Sequence, residues 1–440
     1  MCFPQDILDF SEEIQSFGFT IVKFAKVPSV QDWERPSVYA TRIRTMKNMS
    51  HICLATMHNK LHQSVLRILL ESCPSIPLLP NLRHLEYHCI NGGFNTYVAS
   101  ATYVAESLLM LFSPNLLQSL QFGCCDRLES HERHTFRTHL PKRCAQIEFL
   151  GVSLLDISEY IATFASLRYL KSLDLVVEYP GGVFPSFLNL PNVFPSLIDL
   201  SAMCQSTIAA VDIFKAIDST KLRGIDLRLP CEVNITHLRE LFAIMVSRPT
   251  WKQSMRSISL SIRACGMAVD DVQRLFAFNH LRHLELVNTG LVLDDHVLND
   301  MATTWPMLER LVVTNADYGI PSNATLNGLV PFPKHCPHIA TLELRLDARN
   351  VPAPVNATDA SRDESREGET TPVRLSIHVA SEIHDSTNVA SFLLNLFPRI
   401  TLSLAEDYAE SQEAVLWRRV VDIINETHGL PHARRPRNWR

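Results

Sequence analysis

The sequence predicts an α/β solenoid, an open curved array of short parallel strands with helices on its outer side. Two observations carry this. Twelve short segments repeat an aliphatic pattern of the form L-x-x-L-x-L, opening at Leu82, Leu117, Ile147, Leu170, Leu197, Leu222, Met255, Leu281, Leu308, Ile339, Pro372 and Arg399. Between them the apolar spacing changes from two to three and four, the periods of a strand and of a helix face.

Each repeated segment reads as a strand because residues two apart point to the same side of a pleated chain. Leu82, Leu85 and Tyr87 form one such set, Leu222, Ile225 and Leu227 another, and Leu281, Leu284 and Leu286 a third. The last two segments keep only their inner pairs, Leu375 with Ile377 and Leu402 with Leu404. Openings recur at roughly 23 to 35 residues, near the leucine-rich-repeat period but looser, so insertions must differ between units.

The intervening stretches suit helices. Val104, Leu108, Leu109 and Phe112 share one helical face, as do Ile157, Tyr160, Ile161 and Phe164, then Leu238, Leu241, Phe242 and Met245. Asp156, Thr236, Asp270 and Asp294 are placed to cap such helices. Pro80, Pro114, Pro195, Pro306, Pro337 and Pro398 precede strands, where proline ends one element and aims the next. A single unit buries too little to fold alone, so neighbours must cover both of its faces.

The domain organisation follows. Residues 1–30 lie outside the repeat, with Phe3 to Leu8 suited to open a helix and Phe17 to Val22 to form a strand. Residues 31–80 read as a capping unit with a helical stretch through Leu61, Val65, Ile68 and Leu69, and 81–404 as the repeat array. The polar tract 352–372 reads as a disordered loop, and 405–440 as a cap helix followed by a basic tail carrying Arg434, Arg435, Arg437 and Arg440.

Composition narrows the function. A formal charge of −5 and a sequence without a long apolar run give no reason to expect nucleic-acid or membrane partners. The N-terminus shows no secretory pattern, so the eleven cysteines are expected to be reduced and the protein to reside in cytoplasm or nucleus.

Cys124, Cys125, His131, His134 and His139 are metal-capable, but neither C-x-x-C nor the H-E-x-x-H spacing occurs among them. The sequence also lacks a nucleophile elbow and a phosphate loop. His335-Cys336-Pro337-His338 occupies a repeat junction equivalent to Trp305-Pro306, and Asp294-Asp295-His296 reads as a helix start. No catalytic residue, cofactor or metal ligand is assigned.

If the aliphatics point inward, the residues between them line the concave face. Its central column is Glu86, Gln121, Gly151, Asp174, Ser201, Asp226, Ser259, Glu285, Val312, Glu343, Ser376 and Ser403, an acidic stripe of five carboxylates. Beside it stand His84, His283, Arg310 and Arg374, and on the other flank His88, Arg228, Arg345 and His378. Asp226 with Arg228 and Glu343 with Arg345 are expected either to neutralise each other or to form a mixed-charge platform for a protein or peptide.

Asp32-Trp33-Glu34-Arg35, Leu78-Leu79-Pro80-Asn81-Leu82-Arg83-His84-Leu85, Leu281-Arg282-His283-Leu284-Glu285-Leu286 and His335-Cys336-Pro337-His338-Ile339-Ala340-Thr341-Leu342-Glu343-Leu344 together resemble the leucine-rich-repeat region of fungal, mushroom-type F-box proteins over roughly residues 31–404. The resemblance implies a substrate receptor of a Skp, cullin and F-box type ubiquitin ligase, with protein targets and a Skp-type adaptor as partners. An F-box is helical and some forty residues long; Phe3-Pro4-Gln5-Asp6-Ile7-Leu8 echoes its opening, but the following tract is shorter. The alternative is a free-standing interaction protein without a functional F-box. The turns after the strands carry Ile90, Leu155, Pro230, Thr289 and Ala316 where such repeats place an Asn or Cys ladder, so irregular turns are expected.

Overall fold

The computed structural model describes residues 8–14, 19–47, 59–61, 68–69, 71–74, 76–89, 110, 112–113, 115–124, 142–154, 163–177, 193–263, 266–315, 322–353, 372–377, 381–404 and 412–429. The chain divides into two compact units, Met1–Lys221 and Leu222–Arg440.

In the first unit β1 (Leu8–Ile14) pairs antiparallel with β2 (Phe19–Phe24), and β4 (Asn59–Leu61) adds parallel to β2, making a small three-stranded sheet. A separate parallel sheet runs in chain order through β3 (Thr45–Lys47), β5 (His84–Cys89), β6 (Ser119–Cys124), β7 (Phe149–Leu154), β8 (Ser172–Val177) and β9 (Asp199–Cys204). Helices α1 (Glu34–Ala40) and α2 (Thr207–Ala216) accompany them.

The second unit continues the same plan with β10 (Gly224–Glu232), β11 (Ser257–Arg263), β12 (His283–Val287), β13 (Arg310–Thr314), β14 (Thr341–Leu344), β15 (Val373–Ile377) and β16 (Ile400–Leu404). All of these strands are parallel, each paired with its successor. Between and after them lie α3 (Ile235–Ser247), α4 (Pro249–Ser254), α5 (Val269–Gln273), α6 (Asp295–Thr304), α7 (Pro331–His335), α8 (Ser386–Leu396) and α9 (Gln412–Thr427). The architecture is thus α/β and repeat-like, and no helix among the described residues is long and apolar enough to cross a membrane.

All twelve expected segments form strands, and a thirteenth, β3, joins the sheet from the stretch read as a cap. Strand β8 shows why the pattern works. Leu173, Leu175 and Val177 are fully buried, whereas Ser172, Asp174 and Val176 on the opposite side are half-exposed. The aliphatic that opens each unit is buried just ahead of the strand, as Leu82, Leu170, Leu222 and Leu308 all show.

Among the described residues the proline junctions prove to be four-residue turns. Leu82 N donates to Leu79 O at 3.2 Å, Leu308 N to Trp305 O at 3.0 Å, Ile339 N to Cys336 O at 3.0 Å and Ile400 N to Phe397 O at 3.1 Å. Proline sits second in each, where its fixed φ suits the turn. The first residue of these turns is buried whatever its type: Leu79, Trp305, Cys336 and Phe397. Burial pushes the Cys336 thiol up to about 12, and its Sγ donates to Ala302 O at 3.3 Å.

Several local expectations change. Asn234, rather than Thr236, caps α3, accepting from Thr236 N at 2.9 Å. Asp270 lies inside α5; its neighbour Asp271 does the capping, accepting from Ala268 N at 3.1 Å. Asp294 caps α6 as expected, accepting from Val297 N at 2.8 Å, while Asp295 accepts from Thr325 N and Oγ1, each at 2.6 Å.

Leu61 belongs to strand β4 instead of a helix, and Leu8 begins a strand. One turn does carry an asparagine bridge. Asn315, one position before Ala316, accepts from Gly290 N at 2.9 Å and donates to Leu291 O at 2.9 Å, so its amide clips successive units together. Residues 104–109 and 156–162 of the expected helices, 354–371 of the polar tract and the basic tail lie outside the described residues.

Buried Asp271 adds a second tie in this unit. It accepts from Arg239 Nε at 2.7 Å, joining α5 to α3, and its side chain is 1% exposed. Arg239 flanks the buried face of α3 formed by Leu238, Leu241, Phe242 and Met245, and is itself 47% exposed.

Candidate binding face of the parallel strands

The central column forms in register within each unit. In the first, Glu86, Gln121, Gly151, Asp174 and Ser201 are successive partners. In the second, Asp226, Ser259, Glu285, Val312, Glu343, Ser376 and Ser403 are. The reason is the alternation itself, because once the aliphatics are driven into the core, register fixes every residue between them. Among the column's carboxylates, Glu86, Asp174, Asp226, Glu285 and Glu343 are all half-exposed, whereas Val312 between Glu285 and Glu343 is buried.

The electrostatics differ from rung to rung. Asp226 pairs with Arg228 on its own strand at 2.7 Å. Glu285 pairs across strands with Arg310, whose Nε lies 2.5 Å from Oε1. Glu343 and Asp174 have no ion pair among the described residues, so the expected neutralisation of Glu343 by Arg345 does not occur. Arg345 lies just beyond β14, where its carbonyl accepts from Ser322 Oγ at 2.7 Å. The pairs that form are 29–61% exposed and open to water, so each contributes at most about 1 kcal/mol.

His283 stands on β12, 3.3 Å from Glu309, which also takes Arg282 at 2.9 Å. His84 is exposed on β5 and borders a cleft of about 370 Å³ in the first unit, together with Thr45, Met46, Glu86, Ser119 and Gln121. Arg374 is exposed on β15. The side chain of His88, with His378 and the cluster from Cys124 to His139, falls outside the described side chains; among those described, no group of three or more His, Cys, Asp or Glu is placed to hold a metal ion.

Sequence reasoning passed over another column. In eight of the segments the second residue lies at the edge from which the strands start, and its carbonyl accepts from two amides of the next unit. These are Arg83, Gln118, Glu148 and Lys171 in the first unit and Arg223, Arg256, Arg282 and Glu309 in the second. The signal was available as the L-R-x-[LI] form shared by Leu82-Arg83, Leu222-Arg223 and Leu281-Arg282, echoed by Met255-Arg256.

The arrangement offers a row of half-exposed charged and hydroxyl side chains on a rigid sheet, a geometry suited to holding a polypeptide by hydrogen bonds and ion pairs. Against protein-family models the chain finds no match, and against curated proteins it finds none either.

Proposed function

We propose that the chain is a leucine-rich-repeat scaffold that recognises protein or peptide segments on the exposed face of its strands, without catalysis. The observation that carries this is the in-register column containing Asp226, Glu285 and Glu343, where Glu343 is left without an ion pair among the described residues. A charge held half-exposed and uncompensated costs little in water and gains a partner when a basic segment binds.

The sharper reading is a substrate receptor of a Skp, cullin and F-box type ubiquitin ligase, working in cytoplasm or nucleus. It rests on the resemblance of the repeat segments. The alternative, a free-standing interaction protein, is favoured by the N-terminus: residues 8–14 and 19–24 are strands, whereas an F-box is helical. Co-expression with a Skp adaptor, alongside a receptor known to bind it, separates the two; stable co-purification supports the ligase reading and its absence supports the alternative.

The recognition face is tested by Glu285→Lys combined with Glu343→Lys in proximity labelling and pull-down. Loss of captured partners, with thermal stability lowered by no more than about 1 kcal/mol for the broken Glu285–Arg310 pair, is expected. Unchanged partner capture refutes the assignment of this face.

A further inference from the structure

The edge column of the second unit carries a charge imbalance that the fold does not require. Arg223, Arg256 and Arg282 precede β10, β11 and β12 and occupy consecutive rungs: Arg256 N donates to Arg223 O at 2.8 Å, and Arg282 N to Arg256 O at 2.7 Å. Neighbouring strands lie about 4.8 Å apart, so the backbones of the outer two arginines are within about 10 Å of each other. Like charges in such positions repel. Partial burial, and then the charges of Arg282 and Arg223, lower the pKa of Arg256.

Compensation is sparse. Arg282 has Glu309 at 2.9 Å. Arg256 Nη1 donates to the carbonyls of Gln253 at 2.8 Å and Met255 at 2.9 Å, neutral acceptors that aim the guanidinium without cancelling its charge. Arg223 is exposed and has no carboxylate partner among the described residues. The same column in the first unit places Glu148 beside Lys171, with 2.9 Å between the charged atoms, so this position accepts a self-neutralising pair equally well.

We propose that Arg223, Arg256 and Arg282 form an anion-recognition rim for an extended acidic protein segment lying across the three strand starts. Guanidinium forks are suited to carboxylates, which they bind with two parallel hydrogen bonds. A polyphosphate chain fits less well. Glu309 beside Arg282, with Asp226 and Glu285 about 10 Å farther along β10 and β12 and already paired to Arg228 and Arg310, leaves no continuous positive track for a nucleic-acid strand, whereas a short run of acidic side chains needs only the three rungs. This deepens the scaffold reading by naming the chemistry of a partner, but it uses different residues.

The test is fluorescence anisotropy on the full chain with three labelled probes: a deca-glutamate peptide, a deca-lysine peptide and a ten-nucleotide thymidine oligomer. Deca-glutamate is expected to bind at low salt, more tightly than the oligomer, and to weaken as salt rises. The triple variant Arg223→Gln/Arg256→Gln/Arg282→Gln should raise its Kd about tenfold or more. The charge-matched control Arg168→Gln/Arg418→Gln/Arg419→Gln should leave it within about twofold.

Arg223→Gln alone breaks no hydrogen bond among the described residues, so its fold is preserved and its expected loss of about threefold reads the rim directly. No deca-glutamate binding, an equal loss in the control, an unaffected Arg223→Gln, or tighter binding of the thymidine oligomer overturns the proposal. The deca-lysine probe reads the carboxylate column, and its loss in Glu285→Lys/Glu343→Lys is independent of the arginines, so the two surfaces can fail separately.

Discussion

The Arg239–Asp271 pair gives a prediction whose sign depends on pH. In the native protein the Asp271 carboxylate is 1% exposed and accepts from Arg239 Nε at 2.7 Å, Arg239 Nη2 at 3.3 Å and Ala268 N at 3.1 Å. Burial alone would raise its pKa, but the hydrogen bonds from Arg239 and Ala268, with the charges of Arg239 and Arg274, hold it below 3.8. A carboxylate depressed in this way stabilises the fold above the unfolded value, near 3.8, and loses that contribution as pH falls through its folded value.

Replacing Arg239 with Leu removes both charged hydrogen bonds and leaves the carboxylate buried with one backbone donor. Breaking a buried pair from one side costs about 3–5 kcal/mol, but this pair is open to water on the arginine side, which is 47% exposed, and Ala268 N remains. About 2–3 kcal/mol at pH 7 follows. With burial now the dominant influence, the Asp271 pKa should rise above 3.8, reversing its contribution, so the variant should become less stable as pH rises through that value. Urea unfolding followed by circular dichroism between pH 3 and pH 7 measures the gap between wild type and variant, which should widen with pH. A gap constant across that range, or smaller at pH 7 than at pH 3, refutes the reasoning.

Two further outcomes follow from the fold. Asn315→Ala removes both bonds of the amide bridge to Gly290 and Leu291, and should lower stability by about 1–3 kcal/mol in thermal unfolding; an unchanged melting temperature would show that the bridge contributes nothing. The Cys144, Cys204 and Cys336 thiols, each buried and pushed up to about 12, should resist alkylation at pH 8 in the native protein while half-buried Cys73 and Cys231 react before these three, as peptide mass spectrometry would reveal. Early labelling of Cys336 would contradict its burial.

The strands were legible in the sequence because burial there is local and periodic: Leu284 and Leu286 must share a side, so Glu285 must face the other way. Column register followed without further information. What escaped the sequence depends on contacts between separate segments. Thr45–Lys47 carries only a three-residue strand with no repeat pattern, and it belongs to the sheet because β5 offers a free edge. Arg310 reaches Glu285 on the neighbouring strand while Arg345 does not neutralise Glu343, a difference that same-strand spacing, identical for Asp226–Arg228, does not encode. Asn315 was overlooked because its role is defined by the turn of the preceding unit.

The pairing of β11 through β16 keeps one register although the sequence between strands varies in length. Length change is therefore absorbed outside the sheet, and each inner column position faces one partner on the strand before it and one on the strand after. Such a surface can be changed one position at a time, since half-exposed Ser259, Ser376 or exposed-face Ser403 can be exchanged without disturbing the leucines beneath. The protein thus separates the residues that hold it together from those free to vary, and the chemistry of its exposed strand face can change by single substitutions rather than by remodelling the fold.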